Sequence, residues 1–143
     1  MKRKATIVLA AACCAIPAWA AQWSAIRNND SATLSVDSAS ITRKGGEVTL
    51  KYMVDFAKPQ GDALRKVSYR SIVTAATLRC KPRTVSLGTS ELYSEPGATG
   101  ILVARAVPDR RERAFAAIEK GTSDEDLWRH ACEKAPAKKA AGS

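Results

Sequence analysis

One histidine is all that this sequence offers as a side chain titrating near neutral pH, and that scarcity narrows the acid–base chemistry open to it. His130 lies two residues before Cys132 in a helical pattern, where a half-packed side chain is a simpler reading than a triad base without a partnered serine and acid. No Cys-x-x-Cys pair is present for disulfide exchange, and Cys80 and Cys132 with one histidine do not complete a zinc set. Neither Gly-x-x-x-x-Gly-Lys nor Gly-x-Gly-x-x-Gly occurs, so Gly45-Gly46 is no phosphate loop. Glu91 and Glu95 lie near a turn and read as solvated carboxylates rather than an acid–base pair. These absences lead to the expectation of a non-enzyme with no metal and no cofactor. Beyond the N-terminus no apolar run approaches the ~20 residues of a transmembrane helix, and no internal repeat is visible.

What is present begins with an export signal. Lys2, Arg3 and Lys4 precede an apolar run from Ala5 to Ile16, and Ala18-Trp19-Ala20 places small residues where a signal peptidase must fit them. Residues 1–20 are therefore expected to be a signal peptide cleaved after Ala20, which puts the mature chain in the periplasm or outside the cell. Lipidation at Cys13 or Cys14 is the rival processing route, disfavoured because Ala10-Ala11-Ala12 lacks the usual leucine. Cleavage would remove Lys2, Arg3 and Lys4 and leave 20 basic side chains against 14 acidic ones, a net charge of +6 on one domain.

The two cysteines that remain in an oxidising compartment, Cys80 and Cys132, are expected to pair. The closed loop of about 53 residues would remove denatured-chain entropy worth roughly 4 kcal/mol. Between the cysteines and before them the pattern is one of strands. In "EVTLKYMVDF", Val48, Leu50, Tyr52, Val54 and Phe56 alternate with Glu47, Thr49, Lys51, Met53 and Asp55, the pattern of a half-buried antiparallel strand. A polar loop with Pro59 and Gly61 is expected next, then "VSYRSIVTAATLRC" with a bulge near Ser71 where its phase changes. "TVSLGTSELYSE" and "GILVARAV", separated by Pro96-Gly97, and "WSAIR" and "ATLSV" at the front bring the count to about six strands. "TSDEDLWRHACEK" reads as a helix capped by Ser123, with Leu127, Trp128, Ala131 and Cys132 on one face so that Cys132 can reach Cys80. Residues 134–143 lack apolar periodicity and are expected to be a disordered tail. The fold class is mainly β, an α+β arrangement of antiparallel sheet and C-terminal helix.

"VDSASITRKGGEV" combines a capping acid, a basic pair and a glycine turn. Asp37 can accept a hydrogen bond from the backbone two or three residues on, around Ser40, and close a corner. Ile41 then enters the core and Thr42 to Gly46 reverse the chain. Asp37 and Ser40 are thus expected to be structural, with Arg43 and Lys44 free at the tip.

Trp23, Ile26, Asp37-Ser38-Ala39-Ser40-Ile41, Gly45, Cys80, Tyr93-Ser94, Gly121-Thr122, Leu127 and Cys132 occur in an order that resembles the surface-adhesin E family. The resemblance spans residues 21–133. It implies a small exported bacterial domain with a curved antiparallel sheet, a disulfide-tied C-terminal helix, no catalytic residue, and binding of host-matrix glycoproteins by the family's namesake. The Ser-Gly-x-x-Tyr signature of small lysozyme-inhibiting barrels is missing, the nearest stretch being Leu92-Tyr93-Ser94-Glu95-Pro96-Gly97.

Positive charge is the remaining functional signal. Arg110, Arg111 and Arg113 lie together, Arg43 and Lys44 share a turn, Arg79, Lys81 and Arg83 share another, and Lys138 and Lys139 lie near the end. The expected partners are acidic proteins, glycans or lipopolysaccharide; export argues against nucleic acid. The expected function is an adhesin-like, non-catalytic binding domain, the alternative being a periplasmic structural or inhibitor-like envelope protein.

Overall fold

The structure, a computed structural model, describes residues 20–133; residues 1–19 of the expected leader, with Cys13 and Cys14, and the segment 134–143 lie outside the described residues. Antiparallel pairing links eight strands: β1 Trp23–Asn28, β2 Ala32–Asp37, β3 Thr42–Lys44, β4 Glu47–Asp62, β5 Val67–Arg79, β6 Thr84–Glu95, β7 Thr99–Ala106 and β8 Ala116–Ala117. The open sheet has the order β1-β2-β4-β5-β6-β7, with β3 paired to β4 and β8 to β6. The two strands beyond the expected six are short. β3 is one arm of the hairpin that Gly45 closes at φ 59°, and β8 adds two residues to the edge of β6.

The alternation read in β4 holds for Val48 and Leu50, which are buried, while Met53 on the opposite face is buried as well, in register between Ser35 and Val73. A strand with neighbours on both sides can bury either face at mid-sheet, which the alternation alone does not reveal. The expected loop at Pro59 and Gly61 is instead strand. Asp55 pairs with Ser71 and Gln60 with Tyr69, so four residues of β4 stand opposite Arg70 alone. This wide bulge tolerates Pro59, because no ladder N–H is required there. The Arg70 guanidinium donates to the Phe56 and Ala57 carbonyls at 3.4 and 3.0 Å, satisfying acceptors that the bulge leaves unpaired. The phase change near Ser71 has its origin here, with the extra residues on β4 rather than β5. A second bulge sets Gly88 and Thr89 opposite Ala75, and a Cβ on Gly88 would lie 3.2 Å from the Ala75 carbonyl oxygen. Bulges bend and twist a sheet locally.

The core collects Leu34 and Val36 from β2, Val48 and Leu50 from β4, Ala76 and Leu78 from β5 and Val85 from β6. Leu127 and Ala131 close it from the C-terminal helix, α1 Ser123–Trp128, which continues as a π-helical stretch Arg129–Glu133. Burying Leu127 completely contributes roughly 1.5–3 kcal/mol. The helix cap is Thr122, one residue before the expected Ser123: its Oγ1 accepts from the Glu125 N–H at 3.3 Å, and Glu125 Oε2 accepts from the Gly121 N–H at 2.8 Å. Threonine and glutamate three residues apart thereby form a variant capping box. Cys132 is bonded to Cys80 across a Cα–Cα separation of 5.6 Å, and the Trp128 indole N–H donates to the Arg79 carbonyl at 3.3 Å. The helix is therefore held to the end of β5 covalently and by a hydrogen bond.

Candidate binding surface

The corner at Asp37–Ser40 leads directly into β3. Asp37 is nearly buried, and its Oδ1 accepts from the Ala39 N–H at 3.0 Å and also from the Gln22 N–H at 2.8 Å. The Ser40 hydroxyl donates to the Asp37 carbonyl at 2.7 Å and accepts from the Lys51 N–H at 2.8 Å, which ties the corner to β4. Arg43 and Lys44 extend beyond it on β3, exposed, in register with Val48 and Glu47.

Arg110, Arg111 and Arg113 lie in the excursion between β7 and β8, on the opposite edge of the sheet. Four inter-strand steps from β3 to β8, through β4, β5 and β6, separate the two groups by roughly 19 Å, so the fold does not merge them. The excursion is ordered by its own acids. Asp109 Oδ1 accepts from the Arg111 and Glu112 N–H groups at 2.7 and 2.9 Å, and Glu112 Oε2 accepts from the Asp109 N–H at 2.9 Å. Leu87 N–H donates to the Glu112 carbonyl and Ser86 Oγ to the Arg113 carbonyl, which fastens the turn to β6. Among the described residues no carboxylate forms an ion pair with Arg110, Arg111 or Arg113.

The third basic group is largely occupied in holding the fold. Arg79 pairs with Glu47 at 2.9 Å and lies over the Phe115 ring at 3.6 Å. Arg83 bonds Glu125 at 3.1 Å and covers Trp128 at 4.2 Å. The Gly121 N–H and the guanidinium groups of Arg83 and of Arg129, the latter 3.3 Å away, hold the Glu125 carboxyl below its usual range.

A further polar cluster was not legible in the sequence. Glu91 accepts from the Tyr93 hydroxyl at 2.9 Å and from Arg105 at 2.6 Å, and the two donors lower its pKa in that order. With Lys51, Val73, Ala75 and Thr89, Glu91 lines a shallow groove of about 170 Å³. Another, of about 210 Å³, lies among Leu87, Gly88, Val107, Pro108 and Arg65, the last from the tip of the β4–β5 hairpin. Beside it runs β7, whose side chains are mostly exposed, Ile101 at 72% and Val107 just beyond at 71%.

An open antiparallel sheet closed on one face by a disulfide-tied helix, with basic groups at its rims and shallow grooves, defines the class of small disulfide-tied β-domains. The sequence matches the Surface-adhesin protein E family over residues 23–133, and the chain belongs to that family. The family is one of surface adhesins rather than enzymes. Solved structures of protein E from Haemophilus influenzae share the fold. A structure from a non-typeable strain has 19% identity and a TM-score of 0.57, with 82% of this chain and 81% of that one covered. Another has 19% identity and a TM-score of 0.54, covering 71% and 77%. A search of curated protein sequences gave no significant match. Within the described residues no helix is long and apolar enough to cross a membrane.

Proposed function

We propose that this chain is an exported adhesin-like domain that holds acidic macromolecules, either host-matrix proteins, glycans or lipopolysaccharide, mainly through Arg110, Arg111 and Arg113. The observation that carries this reading is the turn at Asp109–Arg113: its two acids are used in capping the backbone, while its three guanidinium groups have no carboxylate partner among the described residues. A pre-ordered turn presents charge at a lower entropic cost than a flexible one. Arg43 and Lys44 form a second contact on the far edge, within reach of an extended ligand but not of a compact one. Residues 1–20 serve as a signal peptide, 21–133 as the binding domain and 134–143 as a tail in this reading, which N-terminal sequencing of the exported protein checks. No catalytic role is assigned.

The test replaces Arg110, Arg111 and Arg113 together by serine and measures binding to heparin, lipopolysaccharide and an acidic protein by calorimetry at low and high salt. Exposed charges are screened over ~8 Å at physiological ionic strength, so wild-type affinity should fall as salt rises and the triple variant should bind more weakly at low salt. Equal and salt-insensitive affinities would reject recognition led by charge.

A further inference from the structure

The exposed edge of β7 has a use that the charged turn alone does not explain. Among the described residues β7 is the last strand of the sheet and pairs only with β6. Among the described residues no backbone hydrogen bond reaches it from its outer side. Edge strands usually resist pairing through free charges, prolines or bulges. From Thr99 to Val107 there is no proline, and the one charge, Arg105, is neutralised by Glu91 at 2.6 Å. What protection exists is two bulges, the extra residue Val103 between the pairs Tyr93–Leu102 and Leu92–Ala104, and Gly100 and Ile101 opposite Ser94 alone near the start of the strand, so the incoming segment is expected to pair with the stretch from Leu102 onward. Among the described residues Ile101, Leu102 and Val107 account for three of the four exposed large hydrophobic side chains, and the 210 Å³ groove at Val107 and Pro108 has room for one aliphatic side chain.

We infer that this edge takes an extended segment of an acidic protein partner by antiparallel strand addition, with the partner's acidic N-terminal flank against Arg110 and Arg111. Antiparallel pairing is the rule throughout this sheet, and it brings the incoming strand's N-terminus to the Ala106 end of β7, where the free guanidinium groups begin. Main-chain bonds supply affinity in this mode, and the groove and charge supply register. A second copy fits less well, because the exported domain, at the net charge of +6 expected after cleavage, repels itself and carries its own cationic turn to the place where an acid is wanted. The inference rests on the charge-led reading above and narrows its partner to an extended polypeptide.

A labelled peptide, Asp-Glu-Asp-Leu-Thr-Val-Thr-Val-Thr, is titrated by anisotropy into the exported domain, alongside a version N-methylated at alternate amides. Saturable binding, weakened at least tenfold by N-methylation, is expected. Amide exchange at the outward-facing N–H groups between Leu102 and Ala106 should slow at least tenfold in the complex. Val107→Asp, at an exposed position, should weaken binding at least tenfold without moving Tm. Absence of peptide binding, insensitivity to N-methylation, or protection confined to another strand would overturn the inference, as would a dimer that protects β7 without peptide. If heparin and lipopolysaccharide still bind in a salt-dependent way in those cases, the strand-addition inference falls alone; if they too fail to bind, the charge-led reading falls with it.

Discussion

Replacing Asp37 by alanine removes one carboxylate oxygen that serves two backbone donors, the N–H groups of Gln22 and Ala39, at 2.8 and 3.0 Å. Alanine leaves both donors without that partner at a position only 7% exposed. A hydrogen bond to a charged group is worth about 1.5–3 kcal/mol when fully sheltered, and water at the partly open corner replaces some of it, so the pair should cost about 2–3 kcal/mol. A domain of about 114 residues unfolds with an entropy of roughly 240 cal/mol/K, which converts this loss to a fall in Tm of roughly 8–12 °C. Thermal unfolding followed by far-UV circular dichroism measures it. Asp37→Asn retains an acceptor and should recover more than half of the loss, whereas amide exchange at Gln22 and Ala39 should quicken in the alanine variant. A Tm within 1–2 °C of wild type would refute the corner as a structural element. Lost partner binding at unchanged Tm would make Asp37 a ligand residue instead.

Cys132→Ser should lower stability in urea by about 2–5 kcal/mol, and addition of reductant should bring the wild type to the same value and leave the variant unchanged. Glu125→Gln should alter the pH dependence of Tm. The folded carboxyl sits below its ordinary value of 4.5, so its contribution is complete above about pH 5 and is lost as pH falls through the lowered value. The gap between wild type and variant should therefore be widest near neutrality and close in acid; a gap that stays constant with pH would show that Glu125 acts by shape alone.

How far the fold could be read from residues depended on how local each cause was. Strand positions, the Cys80–Cys132 pairing and the helical face of Leu127, Trp128 and Ala131 follow from short-range periodicity and cysteine count. The continuation of β4 through Pro59 does not, because a local breaker is tolerated only where the opposite strand supplies Arg70 to satisfy stray carbonyls. The helix start slipped by one residue since Thr122 and Ser123 are both competent caps, and the position of Glu125, three after Thr122, decides between them. For the binding surface, the sequence locates each basic group but not the distance between them, which depends on strand order. The β7 edge left only a faint trace, a strand of eight residues with one charge, whose neutralisation by Glu91 becomes visible only in register.

The sulfur bridge also decides how the molecule carries mechanical load. Tension applied at the two ends of the chain runs through β1 to β5, reaches Cys80, crosses to Cys132 and leaves, so residues 81–131 lie off the load path. At about 3.5 Å per residue, roughly 180 Å of contour is withheld from extension. β6, β7 and the turn of Arg110 all belong to that insulated segment, whereas β1 and β2 can be peeled first. A ligand seated on β7 would thus ride on unstressed chain while the opposite edge of the sheet yields.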